Sequence, residues 1–383
     1  MVFARPFVII GTPGDRRVTL FQEALARLDL PPASIIAYAD MLDKRVDLDA
    51  AIPRDAVVRI ESPGKDWAVN RALAMHGAET STIRLTKHNF PALQAPGEYV
   101  PSWAWYAGFC MCLDQLKPLE QRPDLMWMQT SADVRLMFDK YKCHRLFVKN
   151  TIATPDQDDH MHAYGIERSA FLKSYYGSSG TGIIAIQTSL LRNRRRYKIY
   201  TSLALQDDVL INTRRLSQFE VEGGDDDGAL NDHPTFGPLL ERWTTYEKEI
   251  VLRQPWIPKA SVPGGAFDLR IVMIAGRMRH IVVRVSQTPI TNLHLLNARG
   301  DWDDVRRRIS DSLWQRIEDT CEHVAALFPK SLYMGIDLMI SSTWNKHYVL
   351  EVNAFGDLLP NLLHEGDDTY TAEIREILKR DKM

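Results

Sequence analysis

Three polar residues set in otherwise apolar sequence carry the clearest chemical signal in the chain. Met334-Gly335-Ile336-Asp337-Leu338-Met339-Ile340 and Tyr348-Val349-Leu350-Glu351-Val352-Asn353 read as two buried strands, with the polar Ser341–Lys346 segment as a hairpin between them. Glu351 and Asn353 are two apart and so share a face of their strand, while Asp337 sits inside the other. A buried carboxylate without a partner is costly, so three converging oxygen donors are most simply explained by a divalent cation. All-oxygen ligands suit Mg²⁺ or Mn²⁺ rather than zinc. The alternative is an edge hairpin whose acids are solvated.

Two further groups of residues suit anionic ligands. Gly177-Ser178-Ser179-Gly180-Thr181-Gly182 lies between apolar runs at Ala170–Tyr176 and Ile183–Ile186, which read as strands. Such a loop can wrap backbone N–H groups around phosphate oxygens, and the Lys173 amine just before it can neutralise a phosphate. It is not a Walker A loop, because no G-K-[ST] follows and it leads into a strand. Phe267–Ile274 and Arg279–Val285 read as an antiparallel pair around Ala275-Gly276-Arg277. Asp268 and Arg270 share a face of the first strand, and Arg284 lies on the second. Arginines so placed can grip phosphate oxygens through bidentate forks, or can pair with Asp268.

The elements that must position these groups start with a strand at residues 7–10, the turn Gly11-Thr12-Pro13-Gly14-Asp15, a helix over Val18–Leu28, and strands at Ser34–Tyr38 and Ala56–Ile60. That alternation predicts a parallel α/β layer ending near residue 130. Its first loop lacks the full G-x-G-x-x-G pattern, so no dinucleotide site is expected. Glu61-Ser62-Pro63-Gly64-Lys65 leaves a strand end, where ligand sites of open α/β sheets tend to lie, although a plain turn fits equally. Aromatic residues over 99–116 suit a packing helix. Residues 136–155 read as a helix, a strand-like Leu146-Phe147-Val148 and a loop; Asp156–His162 reads as a solvated loop despite its metal-like composition. Over 190–250 come a basic run (Arg192–Arg196), strands to Phe219, an acidic glycine-rich loop (Glu222–Gly228) and a helix from 237. Ile250–Ile257 reads as a strand stiffened by Pro255, while Trp302–Phe328 and Tyr370–Arg380 have helical amphipathic spacing.

Composition narrows the classes. The 383 residues, 45% hydrophobic and 25% charged, are those of a globular chain of two or three domains. A net charge of −2 excludes a general nucleic-acid binder. No apolar run reaches the ~18 residues that span a bilayer, and the first ten residues are too short and interrupted for a signal peptide. Cys110, Cys112, Cys143 and Cys321 form no disulfide or metal framework, so a cytoplasmic, reducing location is expected.

Taken in order along residues 136–363, these parts resemble the ATP-grasp superfamily. Asp139-Lys140 resembles its first ATP lysine, and Lys173 with the glycine loop resembles its second lysine and phosphate lid. Gln254-Pro255-Trp256-Ile257 is similar to its adenine hinge; Asp268, Arg270, Arg284 and Asn292 are similar to its phosphate and acyl-phosphate contacts; Asp337, Glu351 and Asn353 match its magnesium ligands. The pattern departs in the Ser-Tyr after Lys173 and in the long stretch from Gly182 to Gln254. The resemblance implies an α/β chain, α+β in its ATP-grasp part: a parallel α/β domain over 1–130, a lid subdomain over 131–257 enlarged at 190–250, and a C-terminal subdomain over 258–383. It implies ATP and Mg²⁺ (or Mn²⁺), with Arg284, Arg270 and Lys173 as catalytic groups. The implied activity is a carboxylate–amine ligase forming an acyl phosphate, with ADP and phosphate as products. Small-molecule or peptide carboxylates and amines are the implied substrates, and a homodimer is compatible with it. A modifying enzyme of a ribosomal precursor peptide, or an ATP-binding regulator or phosphotransferase, are the alternatives.

Overall fold

Short β-branched runs alternating with amphipathic helices build the first layer: β1 (Phe7–Gly11), α1 (Arg16–Arg27), β2 (Ser34–Ala37), α2 (Tyr38–Leu42), α3 (Leu48–Ala51), β3 (Val57–Ile60), α4 (Trp67–Thr80), α5 (Ser102–Leu116) and β4 (Met126–Trp127). The computed structural model describes residues 5–80, 90–157, 168–177, 180–191, 194–223, 229–247 and 251–381. The four strands are parallel in the order β2-β1-β3-β4. From β1 the chain goes to β2 on one side and then to β3 on the other. The loops leaving β1 and β3 therefore flank a crevice at the strand ends. Asp15 caps α1 there, accepting the Arg17 backbone N–H at 2.9 Å.

Two helices, α6 (Ser131–Phe138) and α7 (Lys140–Lys149), lead out of this layer. The strand-like reading of Leu146–Val148 is corrected here, for those residues continue α7. Cys143 and Phe147, four apart, bury one helical face, and a three-residue apolar run cannot separate helix from strand by itself. An antiparallel sheet follows, made of β5 (Ala170–Ser174), β6 (Ile183–Leu191), β7 (Arg194–Gln206) and β8 (Val209–Glu222), covered by α8 (Ala229–Asp232) and α9 (Phe236–Tyr246) and closed by β9 (Val251–Pro255). Its order is β8-β7-β6-β5-β9. Leu172, Ile184, Ile199, Leu203, Leu240 and Trp243 form its own core. Arg194, Arg195 and Arg196 lie on β7 rather than in a turn; Arg192, Asn193 and the acidic loop from Gly224 lie outside the described residues.

The last sheet contains β10 (Ser261–Val262), β11 (Gly265–Ile274), β12 (Arg277–Ser286), β13 (Ala298–Arg299), β14 (Tyr333–Ile340) and β15 (His347–Asn353), with α10 (Trp302–Arg308), α11 (Asp311–Ala326) and α12 (Thr369–Arg380). Its main order is β13-β12-β11-β14-β15. The single helix expected over Trp302–Phe328 is two, because Ser310 caps α11 by accepting the Leu313 N–H at 3.3 Å. Among the described residues no helix is long and apolar enough to cross a membrane.

The first layer and the last sheet share one interior. Val8, Ile10 and Ile60 pack in the same cluster as Leu269, Ile271 and Ile336, and Phe21 meets Tyr370 of α12. Arg59, with 0% exposure, is the polar centre of that seam. It donates to Glu61 at 3.0 Å, to Glu373 at 2.6 Å and to Asp357, and its guanidinium lies 4.4 Å from the Tyr333 ring centre. Arg17 adds a second bond to Asp357 at 2.8 Å. Removing the central cation leaves buried Glu373 without a cationic partner among the described residues, and Glu61 and Asp357 with Arg17 alone. Arg59→Leu is therefore expected to cost about 3–5 kcal/mol, read as a lowered urea midpoint at unchanged slope; a midpoint equal to the parent protein's contradicts the assignment.

Candidate active site

Strand register brings the polar residues of the last sheet onto one face. Arg270 is opposite Asp337, Asp268 is opposite Arg284, and Asp337 is opposite Glu351. The buried Arg284 guanidinium bridges two acids, with its Nε 2.7 Å from Asp268 and its Nη2 3.1 Å from Asp337. Arg270 forks onto Asp337 from the other side and donates to the Gly356 carbonyl at 3.2 Å. The close approach needs Gly335 and Gly356: a Cβ on Gly335 would lie 2.6 Å from the Gly356 Cα. Lys259 and Thr291 complete the row by donating to Asp268, Lys259 at 3.0 Å. Burial opposes the charge of Asp268 and Asp337, but the cations beside them outweigh it and hold both carboxyls below the usual range.

A first chamber lies between this sheet and β5–β9. Its walls include Lys140, Lys173, Gly177, Gly180, Thr181, Gln254, Pro255, Ile257, Asp268, Arg284, Asn292, Asp337 and Glu351. Lys140, at the start of α7, donates to the Gly177 carbonyl at 2.7 Å. The Lys173 amine donates to the Gln254 side-chain oxygen at 2.7 Å. The Gln254 side-chain nitrogen is buried and has no partner among the described residues, which leaves a donor for a ligand in the chamber wall. Burial pulls the Lys173 ammonium down to about 8, with Glu351 resisting and Lys140 and Lys259 adding to the depression.

A second chamber adjoins the first on the side of the parallel layer. It is lined by Arg16, Arg17, Lys65, Arg270, Asn353 and the 3-10 turn beginning at Leu293, and it shares Lys140, Gly177, Arg284, Asn292 and Glu351 with the first. The two spaces thus meet over Arg284 and Glu351. Glu351 is half-buried, and the Asn353 side-chain amide lies 3.4 Å from it. Among the described residues no three His, Cys, Asp or Glu side chains are preassembled as a metal cluster. Asp337 and Glu351 supply two carboxylates and Asn353 an amide oxygen, a donor set that fits a hard cation.

Not every expected residue lines a chamber. Trp256 turns its ring onto Phe171, 5.2 Å between centres, and its backbone N–H donates to the Ser169 carbonyl at 3.0 Å. Gly182, at φ +65°, sits where a Cβ would lie 2.6 Å from the Tyr99 hydroxyl. It makes room for a buried knot in which Tyr99 and Ser102 of the first layer bind Glu247. Ser178 and Ser179 lie outside the described residues, as does most of Asp156–His162. Sequence reasoning missed Lys259 altogether and left Lys65 undecided, because a lone lysine in a loop has no periodicity to mark it. Arg16 and Arg17, in a segment Gly11–Arg17 similar to that of a bacterial ATP-grasp group, were given no site role, although their place after the first strand was the available signal.

The model of the YheC/D-like ATP-grasp family matches residues 133–357, more than half of the chain. The protein belongs to that family. No curated protein sequence matches it. Among solved structures, the ATP-grasp ligase PsnB with a minimal precursor is similar over 98% of this chain and 100% of its own, at 12% identity and TM-score 0.52. The D-alanine–D-alanine ligase of Bacillus anthracis, complexed with ATP, aligns over 98% of this chain and 97% of its own, at 12% identity and TM-score 0.50. At such identities the likeness is one of fold, and it covers the parallel layer as well as the ATP-grasp part.

In this ATP-grasp protein the Lys173 charge is present below its pKa and lost above it. MgATP affinity is accordingly expected to weaken as pH rises from about 7 to about 9.5. Lys173→Met should remove that slope, measured by calorimetric titration; a slope that survives the substitution assigns it to another group.

Proposed function

We propose that this protein is an ATP-dependent carboxylate–amine ligase working through an acyl phosphate. The observation that carries the reading is the junction of two chambers over Arg284 and Glu351, one walled by lysines and an unpaired Gln254 donor, the other open to a second substrate. Family membership supports it, as do the D-alanine–D-alanine ligase complexed with ATP and a PsnB structure complexed with a phosphomimetic variant of its minimal precursor, Mg and ADP, of TM-score 0.50 and 12% identity.

Nucleotide phosphates in the first chamber would meet Lys140, Lys173 and Lys259. Asp337, Glu351 and Asn353 would hold magnesium, which supplies charge neutralisation between the phosphate oxygens. Arg284 and Arg270, no longer confined to Asp337 once phosphate oxygens compete for them, face the place where the γ-phosphoryl meets the substrate carboxylate. An amine entering through the second chamber then attacks the acyl carbon and releases phosphate. The glycine loop, with Gly177 and Gly180 in the wall, keeps water from that mixed anhydride. A precursor peptide as acceptor is the second reading. It is favoured by the long β7–β8 hairpin, which bonds to the first layer near the chamber where the Tyr99 N–H meets the Leu210 carbonyl at 2.7 Å.

Glu351→Gln is expected to lower ADP formation by about 100-fold or more while the circular dichroism spectrum stays that of the parent. ADP and phosphate should rise together when a carboxylate and an amine are both supplied. AMP as product excludes the acyl-phosphate route, and tight nucleotide binding without turnover on any acid and amine favours a regulator.

A further inference from the structure

The second chamber has more positive charge than the phosphate chemistry uses. Lys140, Arg270 and Arg284 belong to the junction, and Arg17 is bound to Asp357. Arg16 and Lys65 are left over. Neither lines the nucleotide chamber, both are exposed, and among the described residues neither has a carboxylate within ion-pairing distance. They come from different segments, Arg16 opening α1 just after β1 and Lys65 in the loop after β3, and the loops leaving those strands flank the reversal point of the parallel sheet. The loops touch, since a Cβ on Gly64 would lie 2.4 Å from the Asp15 carboxylate.

Arg214, exposed on β8, does not line the chamber, but its charge helps to depress the Lys65 ammonium. Partial burial is the larger cause of that depression; Arg17 and Arg16 add to it, and Asp15 offsets it in part. His294, on the opposite wall, is pushed down to about 4 by burial and by Lys65, Arg17, Arg270 and Arg284, so the imidazole contributes a neutral donor. Scattered single cations on a surface are unremarkable. Arg16 and Lys65 share the mouth of the chamber with one carboxylate, Asp15, and with Arg17, Arg270 and Arg284 beside them the chamber remains net positive and suits a further anion.

We propose that the second chamber takes a carboxylate substrate bearing a further anionic group, a second carboxylate or a phosphate, seated on Arg16 and Lys65 while the carboxylate to be activated faces Arg284. This rests on the ligase reading for the identity of the activated end, but the anionic seat can be measured without turnover. The full chain, loaded with Mg²⁺ and the non-hydrolysable analogue AMPPNP, is titrated calorimetrically with matched acids: glutarate against valerate, and phosphoserine against serine. Within at least one pair the doubly anionic acid should bind about tenfold tighter or better. The Arg16→Ala/Lys65→Ala double variant should bring that ratio close to one. A preference for glutarate alone makes the seat one for carboxylate, and for phosphoserine alone one for phosphate.

Equal binding within both pairs, no binding by any acid, or a ratio untouched by the double variant overturns the seat. Hydroxylamine trapping with ATP reads the other step, since an acyl phosphate gives a hydroxamate together with ADP and phosphate. Selective binding with no hydroxamate removes the ligase reading and leaves the anionic seat standing. Hydroxamate formed from valerate as readily as from glutarate does the reverse.

Discussion

A row of alternating charges on one face of the last sheet is the constraint around which the rest is arranged. Lys259, Asp268, Arg284, Asp337 and Arg270 succeed one another, each bonded to the next. Charges this deeply placed are tolerable only when paired and hydrogen-bonded, so each member fixes its neighbour. The sheet therefore holds the site preassembled and electrically satisfied before anything binds.

The parallel layer is tied to that sheet by a second set of buried charges. Arg59 gathers Glu61, Asp357 and Glu373 from three separate elements, and Arg17 extends the set toward the second chamber. Asp357 lies four residues beyond Asn353, so the loop leaving β15 is held from behind by the first layer. The β5–β9 unit is joined differently, through its own apolar core and the polar knot at Glu247. The chambers lie where these two kinds of attachment meet, one side shared with the common interior and the other carried by a separate core.

Much of this was legible in the sequence where local pattern and chemistry coincided. The hairpin of Asp337, Glu351 and Asn353, the Asp268-x-Arg270 strand and the strand–glycine loop–strand unit all appear as read, because period-two alternation and turn residues are short-range signals. Leu146–Val148 and the break at Ser310 were misread for the same reason: three apolar residues, or one serine in a long amphipathic run, fit two structures until packing chooses. The partners of Arg284 stayed open, since a strand pattern gives a face but not what crosses to it.

By itself the sequence determined the element types, the faces on which the acids and arginines lie, and the order of parts that resembles ATP-grasp proteins. Only the tertiary structure decided that Trp256 lies outside the lining of the first chamber, that Gly182 serves a buried knot, and that Lys259 joins the charge row. It alone placed Arg16 and Lys65 at one mouth, from positions 49 residues apart. Local backbone preference acts over a few residues, whereas the meeting of these side chains is set by sheet register, the reversal of strand order and the packing of separate cores.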